Sequence, residues 1–336
     1  MNKLLRPLIL LPLLLPLGAA AGRDLPVQDP DMIETENMVQ GTLLALGQLE
    51  KRLTVPVVVG NRGPYNFIID TGAERTVVSR ELAGSLRLNA GSPVLMTSMT
   101  GVSTVNTVIV PDLSIESIGQ LHTVVAPSLG ASDLGAVGLL GIDTLSKHQV
   151  SIDFSAGTME VRPSSKRDRN RAYRRDEIVV TAKNLFGQLI VTDAYYGDTR
   201  IQVVLDTGSQ VTMGNTPLRK LIGRGRMKKA VPISLTSVTG GKMAADYTGV
   251  PDIRVGRLAF GTMPVAFADV APFERFGLTK RPALLLGMDA LRSFAKVDID
   301  FPNRQVRFTM PKDVRRERTT GSLIPGVEGA SPGRGY

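Results

Sequence analysis

The sequence has no cysteine and no tryptophan, and only two histidines occur among its 336 residues. Without cysteine the chain forms no disulfide and offers neither a thiolate metal ligand nor a cysteine nucleophile. The histidines, His122 and His148, share no motif spacing with a serine or an aspartate, which argues against a catalytic triad. A His-Glu-x-x-His zinc motif is absent as well. A conventional serine or metal hydrolase is therefore disfavoured, and we expect no metal and no cofactor.

Charge of one sign is in excess, since the formal net charge is +9. Much of it lies in two basic segments, residues 166–175 and 312–318. The simplest interpretation is that both segments are solvated, and the alternative is attraction to anionic polymers or membrane surfaces. No nucleic-acid-binding module accompanies them, so we predict no nucleic-acid partner.

The first 21 residues have the organisation of a secretory signal peptide. Lys3 and Arg6 form a basic start, residues 8–17 are apolar apart from two prolines, and 19–21 are three alanines suited to cleavage. The apolar stretch is shorter than the ~20 residues that span a bilayer, so we expect no stable membrane insertion. The pattern predicts a secreted protein, or a periplasmic one in a bacterium.

The remainder of the chain contains an internal repeat. Five short segments occur twice in the same order, with an offset that grows from 136 residues at the first pair to 147 at the last. This is typical of two copies of one domain that differ by small loop insertions. The paired segments are 67–73 with 203–209, 97–101 with 236–240, 110–113 with 250–253, 139–143 with 285–289, and 151–154 with 298–301.

Each copy reads as mostly β, with short β-rich runs separated by turn signals. A short helix is predicted after the downstream Leu-Leu-Gly of each copy, over 142–148 and 288–295, and a closing hairpin follows it. The predicted organisation is a signal peptide (1–21), an N-terminal arm or pro-segment (22–50), a first copy (51–163), a basic linker (164–176), a second copy (177–310) and a disordered tail (311–336).

The repeated Asp-Thr-Gly turns are the candidate site. Asp70 and Asp206 each follow an apolar strand, where an uncompensated carboxylate is costly to bury. An ordinary strand-end turn capped by aspartate would explain one occurrence but not both. Two carboxylates facing each other would share one proton, so that one takes a proton from water while the other polarises a carbonyl. We predict Asp70 and Asp206 as the catalytic pair.

The residues beside the two aspartates are predicted to support the pair. Gly72 and Gly208 allow close backbone approach, and their N–H groups are placed to donate to the carboxylates. Thr71 and Thr207 are candidates for hydrogen bonds between the two loops.

One side-chain difference between the turns predicts an effect on pH dependence. Ser209 is a candidate donor to the outer oxygen of Asp206, whereas Ala73 has no hydroxyl to offer Asp70. We therefore predict a rate optimum that is not strongly acidic.

Together, two Asp-Thr-Gly-Ala/Ser turns and two Leu-Leu-Gly segments resemble the aspartic proteases, most closely the retropepsin-like (retroviral-type) branch with two copies fused in one chain. The resemblance covers residues 52–162 and 186–309. It implies an acid-protease fold, with two homologous β-rich lobes related by pseudo-twofold symmetry and a short helix in each. It also implies one catalytic aspartate per lobe, an extended substrate in the cleft between the lobes, and activity as a monomer.

Family members close a β-hairpin flap over the substrate, and residues 97–103 and 236–242 match such hairpins. There is no tyrosine where the pepsin branch has one, and the two segments differ, so closure by only one of them is an alternative. A plain surface hairpin is equally compatible with either segment. The resemblance implies four substrate-binding flap residues: Thr100, Gly101, Thr239 and Gly240.

The sequence therefore predicts an aspartic endopeptidase that hydrolyses exported or cell-envelope polypeptides with a water activated by the two aspartates. The alternative is a catalytically silent module that binds a peptide in the same cleft. Intact Asp-Thr-Gly in both copies argues against the silent module, because a silenced copy is free to lose its aspartate.

Overall fold

The structure, a computed structural model, describes residues 53–115, 117–120, 123–172 and 174–311. The predicted signal peptide, the arm over 22–50, His122 and almost all of the predicted tail lie outside the described residues. No helix within these described ranges is long and apolar enough to cross a membrane.

The first copy is built from short strands whose buried residues alternate or run together. In the first strand Val55, Val57 and Val59 are buried while the residues between them are not, as expected for a half-buried strand. The strands are β1 (Thr54–Val59), β2 (Arg62–Ile69), β3 (Val77–Ser79), β4 (Ala90–Ser98), β5 (Gly101–Val110), β6 (Leu113–Ile115), β7 (Gly119–Gln120), β8 (Val124–Leu129), β9 (Gly138–Leu140), β10 (His148–Asp153) and β11 (Thr158–Pro163). The helices are α1 (Arg80–Leu86), α2 (Ala131–Leu134) and α3 (Ile142–Leu145).

The second copy repeats this arrangement after a connecting helix, α4 (Lys166–Arg169), inside the predicted linker. Its strands are β12 (Glu177–Leu185), β13 (Gln188–Tyr196), β14 (Thr199–Leu205), β15 (Met213–Gly214), β16 (Val231–Thr236), β17 (Lys242–Val250), β18 (Ile253–Val255), β19 (Leu258–Ala259), β20 (Met263–Phe267), β21 (Ala283–Leu286), β22 (Lys296–Asp300) and β23 (Gln305–Thr309). Its helices are α5 (Thr216–Ile222), α6 (Arg224–Met227), α7 (Ala271–Arg275) and α8 (Met288–Leu291).

Two sheets organise these strands. One has nine strands in the order β4-β5-β8-β3-β9-β2-β1-β6-β7, and the other has fourteen and contains the second copy. The prediction of a mostly β protein with two homologous β-rich halves and a short helix in each is confirmed. The predicted helices over 142–148 and 288–295 are too long, however, because α3 and α8 end after one turn and His148 already begins β10.

The closing hairpin of the first copy joins the sheet of the second. Strand β10 pairs antiparallel with β22, with Val150 opposite Ile299, so that β11 and β10 extend the fourteen-stranded sheet. The largest cluster of buried apolar side chains accordingly contains residues of both copies, including Ile152 and Val297. The boundary predicted after residue 163 assigns to the first copy a hairpin that pairs with the second.

The same pairing of three strands lies under each Asp-Thr-Gly turn. In the first copy β9 pairs parallel with β2 and antiparallel with β3, so that Leu139 and Leu140 lie between the strands that lead into and out of the turn. In the second copy β21 pairs in the same two ways with β14 and β15. The repeated Leu-Leu-Gly segment thus supplies the strand that supports each turn, and we call this segment the floor of the turn.

Candidate active site

Each candidate aspartate is held at the end of a buried strand. The backbone N–H of Asp70 donates to the Leu140 carbonyl at 3.0 Å, and that of Asp206 donates to the Leu286 carbonyl at the same distance. The last residues of both strands are buried. The hydrophobic strand therefore fixes the backbone from which each carboxylate projects.

Backbone N–H groups of the same turn bind each carboxylate. Gly72 and Ala73 donate to Oδ1 of Asp70 at 2.9 and 3.0 Å. In the second copy, Oδ1 of Asp206 accepts from the corresponding two residues at 3.1 Å each. These bonds orient both carboxyl groups and favour their ionised forms.

The carboxyl group of each copy lies against the glycine of the other. A Cβ atom built on Gly208 would be 2.2 Å from Cγ of Asp70, and one built on Gly72 would be 2.7 Å from Oδ1 of Asp206. Real Cβ atoms do not approach other atoms so closely. Glycine at both positions is therefore what allows the two carboxyl groups to come together.

Two threonines join the turns beneath the carboxylates. The hydroxyl of Thr71 donates to the Leu205 carbonyl at 2.9 Å and accepts from the Thr207 N–H at 3.1 Å. The hydroxyl of Thr207 donates to the Ile69 carbonyl at 2.8 Å and accepts from the Thr71 N–H at 3.1 Å. Both threonines are buried, so four bonds that water does not compete for tie one copy to the other.

We expect Thr71→Val to lower the free energy of unfolding by about 2–5 kcal/mol, because a buried carbonyl and a buried N–H each lose their partner. Thr71→Ser keeps the hydroxyl and is the matched control, with an expected loss of about 1 kcal/mol. Urea denaturation of both variants measures the difference. If the two variants unfold at the same urea concentration, the hydroxyl does not hold the copies together.

The prediction that the Ser209 hydroxyl donates to Asp206 is wrong. The hydroxyl of Ser209 has one proton and donates it to the Val211 carbonyl at 2.8 Å, while the Ser209 backbone N–H binds the carboxylate. Ala73 supplies the same backbone bond in the first copy. The serine and the alanine therefore do not distinguish the two carboxylates, and the pH argument built on that difference fails.

Burial, and not the serine hydroxyl, dominates the pKa of Asp206. Removal from water, together with the neighbouring charge of Asp70, raises the pKa of Asp206 to about 7 against the opposing effect of the N–H groups of Ser209 and Gly208. Two close carboxyl groups cannot both ionise easily, so the pair retains one proton in neutral solution.

The raised pKa predicts that this group stabilises the fold most at acid pH. The folded protein keeps the Asp206 proton up to about pH 7, whereas the unfolded chain loses it near 3.8. Folded protein binds more protons between these values, so the contribution is complete below about pH 3.8 and is lost as pH rises towards 7. We expect Asp206→Asn to gain stability relative to the wild type over that range by a few kcal/mol. Urea denaturation at pH 4, 5.5 and 7 measures it, and a difference independent of pH would contradict the assignment.

A second aspartate in each copy anchors the turn to its floor. Asp143 accepts from the backbone N–H and the hydroxyl of Thr76 at 2.9 and 2.8 Å. Asp289 does the same for Thr212 at 3.0 and 2.6 Å. A Cβ on Gly141 would be 2.3 Å from the carbonyl carbon of Arg75, which explains the glycine of Leu-Leu-Gly. The downstream motif is thus a support for the turn.

The carboxyl pair lies in a cavity of about 500 Å³ between the copies. Residues 94–99 of the hairpin β4–β5 and residues 233–238 of the hairpin β16–β17 line it from above. The first three residues of each predicted flap segment, 97–99 and 236–238, therefore line the cavity. The four predicted flap residues, Thr100, Gly101, Thr239 and Gly240, lie just beyond the lining segments, at the two tips.

The two hairpin tips touch each other and reach across to the opposite copy. The hydroxyl of Thr239 donates to the Ser98 hydroxyl at 3.1 Å. Met99 packs against apolar residues of the second copy, and its carbonyl accepts from the Ala271 N–H at 3.3 Å. Val238 packs against apolar residues of the first copy, including Leu134. A hairpin from each copy therefore covers the cavity.

Three cavity residues are missed by the sequence analysis. Gln188 is buried and donates from Nε2 to the Gly72 carbonyl at 3.2 Å, behind the first turn. Glu74 forms an ion pair with Arg275 of the second copy. Glu74 directly follows the first Asp-Thr-Gly-Ala, which was a usable signal, whereas nothing local marks Gln188 or Arg275.

Comparison with known proteins agrees with the two-copy arrangement. A family model described as aspartyl protease matches residues 55–144 and 192–290, together more than half of the chain. No curated protein sequence matches the chain.

Two solved structures are similar to parts of the chain. One is a retropepsin-like aspartic protease from Rickettsia conorii, with a TM-score of 0.28 and 18% identity, over 40% of this chain and 89% of that chain. The other is conglutin gamma, a basic 7S globulin from lupine seeds, with a TM-score of 0.39 and 10% identity, over 74% of this chain and 88% of that chain.

Each of the two regions matched by the family model contains one Asp-Thr-Gly turn and the Leu-Leu-Gly segment beneath it. The prediction of two aspartic protease copies in one chain is confirmed. The chain belongs to the aspartyl protease family.

Proposed function

We propose that the protein is an aspartic endopeptidase whose single catalytic centre is the pair of Asp70 and Asp206. The observation that carries this proposal is the packing of each aspartate against the glycine of the other copy, which brings two partly buried carboxyl groups together. Placing two carboxyl groups side by side with little water is costly, so the arrangement indicates that their chemistry is used.

The chemistry follows from the shared proton. We assign the shared proton to Asp206, because burial raises the pKa of that residue, and the base to Asp70. Asp70 takes a proton from a water between the carboxyl groups as that water attacks the scissile carbonyl. Asp206 gives its proton to the carbonyl oxygen as the tetrahedral intermediate forms. When the carbon–nitrogen bond breaks, Asp70 passes the proton that it took from water to the leaving nitrogen, and Asp206 recovers a proton from a hydroxyl of the intermediate. The enzyme forms no covalent bond to the substrate.

The cavity suits an extended peptide. It has residues of both copies in its walls, which include the apolar side chains of Val77, Leu134, Val211 and Phe276. Such walls bind apolar side chains on either side of the scissile bond. Both copies belong to one chain, so we propose activity as a monomer. The predicted signal peptide supports export and a substrate among exported or cell-envelope polypeptides.

Digestion of a diverse peptide library by the purified chain between pH 3 and pH 8, followed by mass spectrometry, tests the proposal. We expect cleavage at internal bonds, with rates that fall above about pH 7 as Asp206 loses its proton. Failure to cleave at any pH, together with peptide binding that Asp70→Asn leaves unchanged, would identify a silent binding module instead.

A further inference from the structure

A second cavity opens beside the first, on the outer face of the first copy. This lateral basin has a volume of about 800 Å³, and its walls include Arg75, Val125, Lys147, His148 and Phe186. Glu74 and Arg75 line both the catalytic cavity and the lateral basin. The two cavities therefore adjoin at these two residues.

The charge of the lateral basin is positive on balance. Arg75 and Lys147 are exposed, and neither forms an ion pair with any residue that the structure describes. Of the two carboxylates in the walls, Glu74 pairs with Arg275, whereas Asp143 accepts hydrogen bonds from Thr76 and keeps its negative charge. The described wall thus presents two cations without an ion pair and one such carboxylate, so that it is positive on balance.

The basin also offers apolar contacts and a polar imidazole. The side chain of Phe186 is 54% exposed, with the Arg275 guanidinium 5.0 Å from its ring, and Val125 is 42% exposed. Nδ1 of His148 lies 3.1 Å from the Thr144 carbonyl. An exposed aromatic ring beside free cations suits a peptide with both acidic and apolar side chains.

The two cationic positions of the lateral basin do not recur in the second copy. In the repeat, Arg75 corresponds to Val211 and Lys147 corresponds to Ser293. The two copies share one fold, so side chains that the fold requires are expected to recur in both. The cations at these two positions of the first copy are therefore not needed to build it.

We propose that the lateral basin is an exosite that binds an acidic extension of the peptide substrate while the scissile bond lies at the carboxyl pair. This rests on the proposed peptidase function. Asp or Glu side chains of the extension pair with Lys147 and Arg75, and an apolar side chain packs on Phe186. An extended chain advances ~3.3 Å per residue, so six residues beyond the cleavage site span about 20 Å.

Kinetics with matched peptides test the exosite. One cleavable core sequence carries a six-residue extension that is either Glu-rich or Gln-rich, placed at the N- or the C-terminus. We expect the Glu-rich extension to lower KM about three- to tenfold at one terminus only, with kcat unchanged. The preference should shrink in 0.5 M salt, because salt screens exposed charges.

Lys147→Glu is the decisive variant, since Lys147 lines the lateral basin and not the catalytic cavity. We expect it to abolish the preference and to leave kcat on the Gln-rich peptide unchanged. Lys220→Glu, the same charge change at an exposed residue that lines neither cavity, should keep the preference.

Two results separate the exosite from the peptidase proposal. Equal KM values for both extensions, or a preference that survives Lys147→Glu, would overturn the exosite while leaving the peptidase intact. If no peptide is cleaved, fluorescence anisotropy of the labelled Glu-rich peptide on the wild-type chain and on Lys147→Glu decides instead. Tighter binding to the wild type supports the exosite, and equal binding overturns it.

Discussion

Replacing Asp70 or Asp206 by asparagine lowers kcat/KM for peptide hydrolysis by at least about 10³-fold, because one variant lacks the base and the other the acid. Each substitution preserves the size of the side chain and an Oδ1 that still accepts the N–H bonds of its turn. The loss therefore falls on chemistry and not on folding. Initial rates on a cleaved library peptide measure it.

Folding and assay controls accompany these variants. Asparagine carries no charge, so Asp206→Asn should be at least as stable as the wild type at pH 7, as seen by thermal unfolding. Asp198→Asn, in an exposed turn between β13 and β14, should retain full activity. A folded Asp70→Asn or Asp206→Asn variant with more than a tenth of wild-type activity would remove that residue from the mechanism.

Gly208→Ala is expected to lower kcat/KM by about 10²-fold or more and to destabilise the protein by about 1–3 kcal/mol. Its Cβ would lie 2.2 Å from Cγ of Asp70, whose position the N–H bonds of its own turn fix. Either the carboxyl group or the opposite turn must shift. A displacement of about 1 Å at a reacting group is enough for the predicted loss of rate.

Gly84→Ala is the matched control for this steric argument. Gly84 lies in α1, and a Cβ there meets no atom within 4 Å, so alanine should stabilise the helix by about 0.5–1 kcal/mol and leave activity unchanged. In Gly72→Ala the new Cβ would lie 2.7 Å from Oδ1 of Asp206, so its loss of kcat/KM should fall between those of Gly208→Ala and Gly84→Ala. Wild-type kcat/KM in Gly208→Ala would show that the carboxyl groups do not need this close approach.

The sequence located the aspartate pair because the repeat marks it twice. An apolar strand that ends in Asp-Thr-Gly is ambiguous once, but a second copy with the same floor segment indicates a site made by both. The types of the neighbouring residues then limit their roles. A buried threonine beside such a turn has few partners other than the facing turn, and Thr71 and Thr207 do bond across it.

Other features depend on tertiary placement that no local pattern encodes. The Ser209 hydroxyl has a carbonyl acceptor within its own turn, which competes with the carboxylate. The sequence pattern assigns the hairpin β10–β11 to the first copy, although β10 pairs with β22 of the second copy. The alternation of buried residues along a strand does not specify which sheet edge that strand joins. The ion pair of Glu74 and Arg275 joins residues 201 positions apart. The lateral basin likewise combines wall residues that are distant in sequence, since Phe186 of the second copy lies beside residues of the first.

The central claim is that the two copies form one catalytic centre, and a double-mutant cycle tests it most directly. The kcat/KM of wild type, Asp70→Asn, Asp206→Asn and the double variant is measured on one cleaved peptide at pH 5. One centre predicts that each single variant is inactive by about 10³-fold or more and that the double variant loses little beyond either single variant. Single variants that each keep about half of the activity, with only the double variant inactive, would show two independent sites and contradict the account.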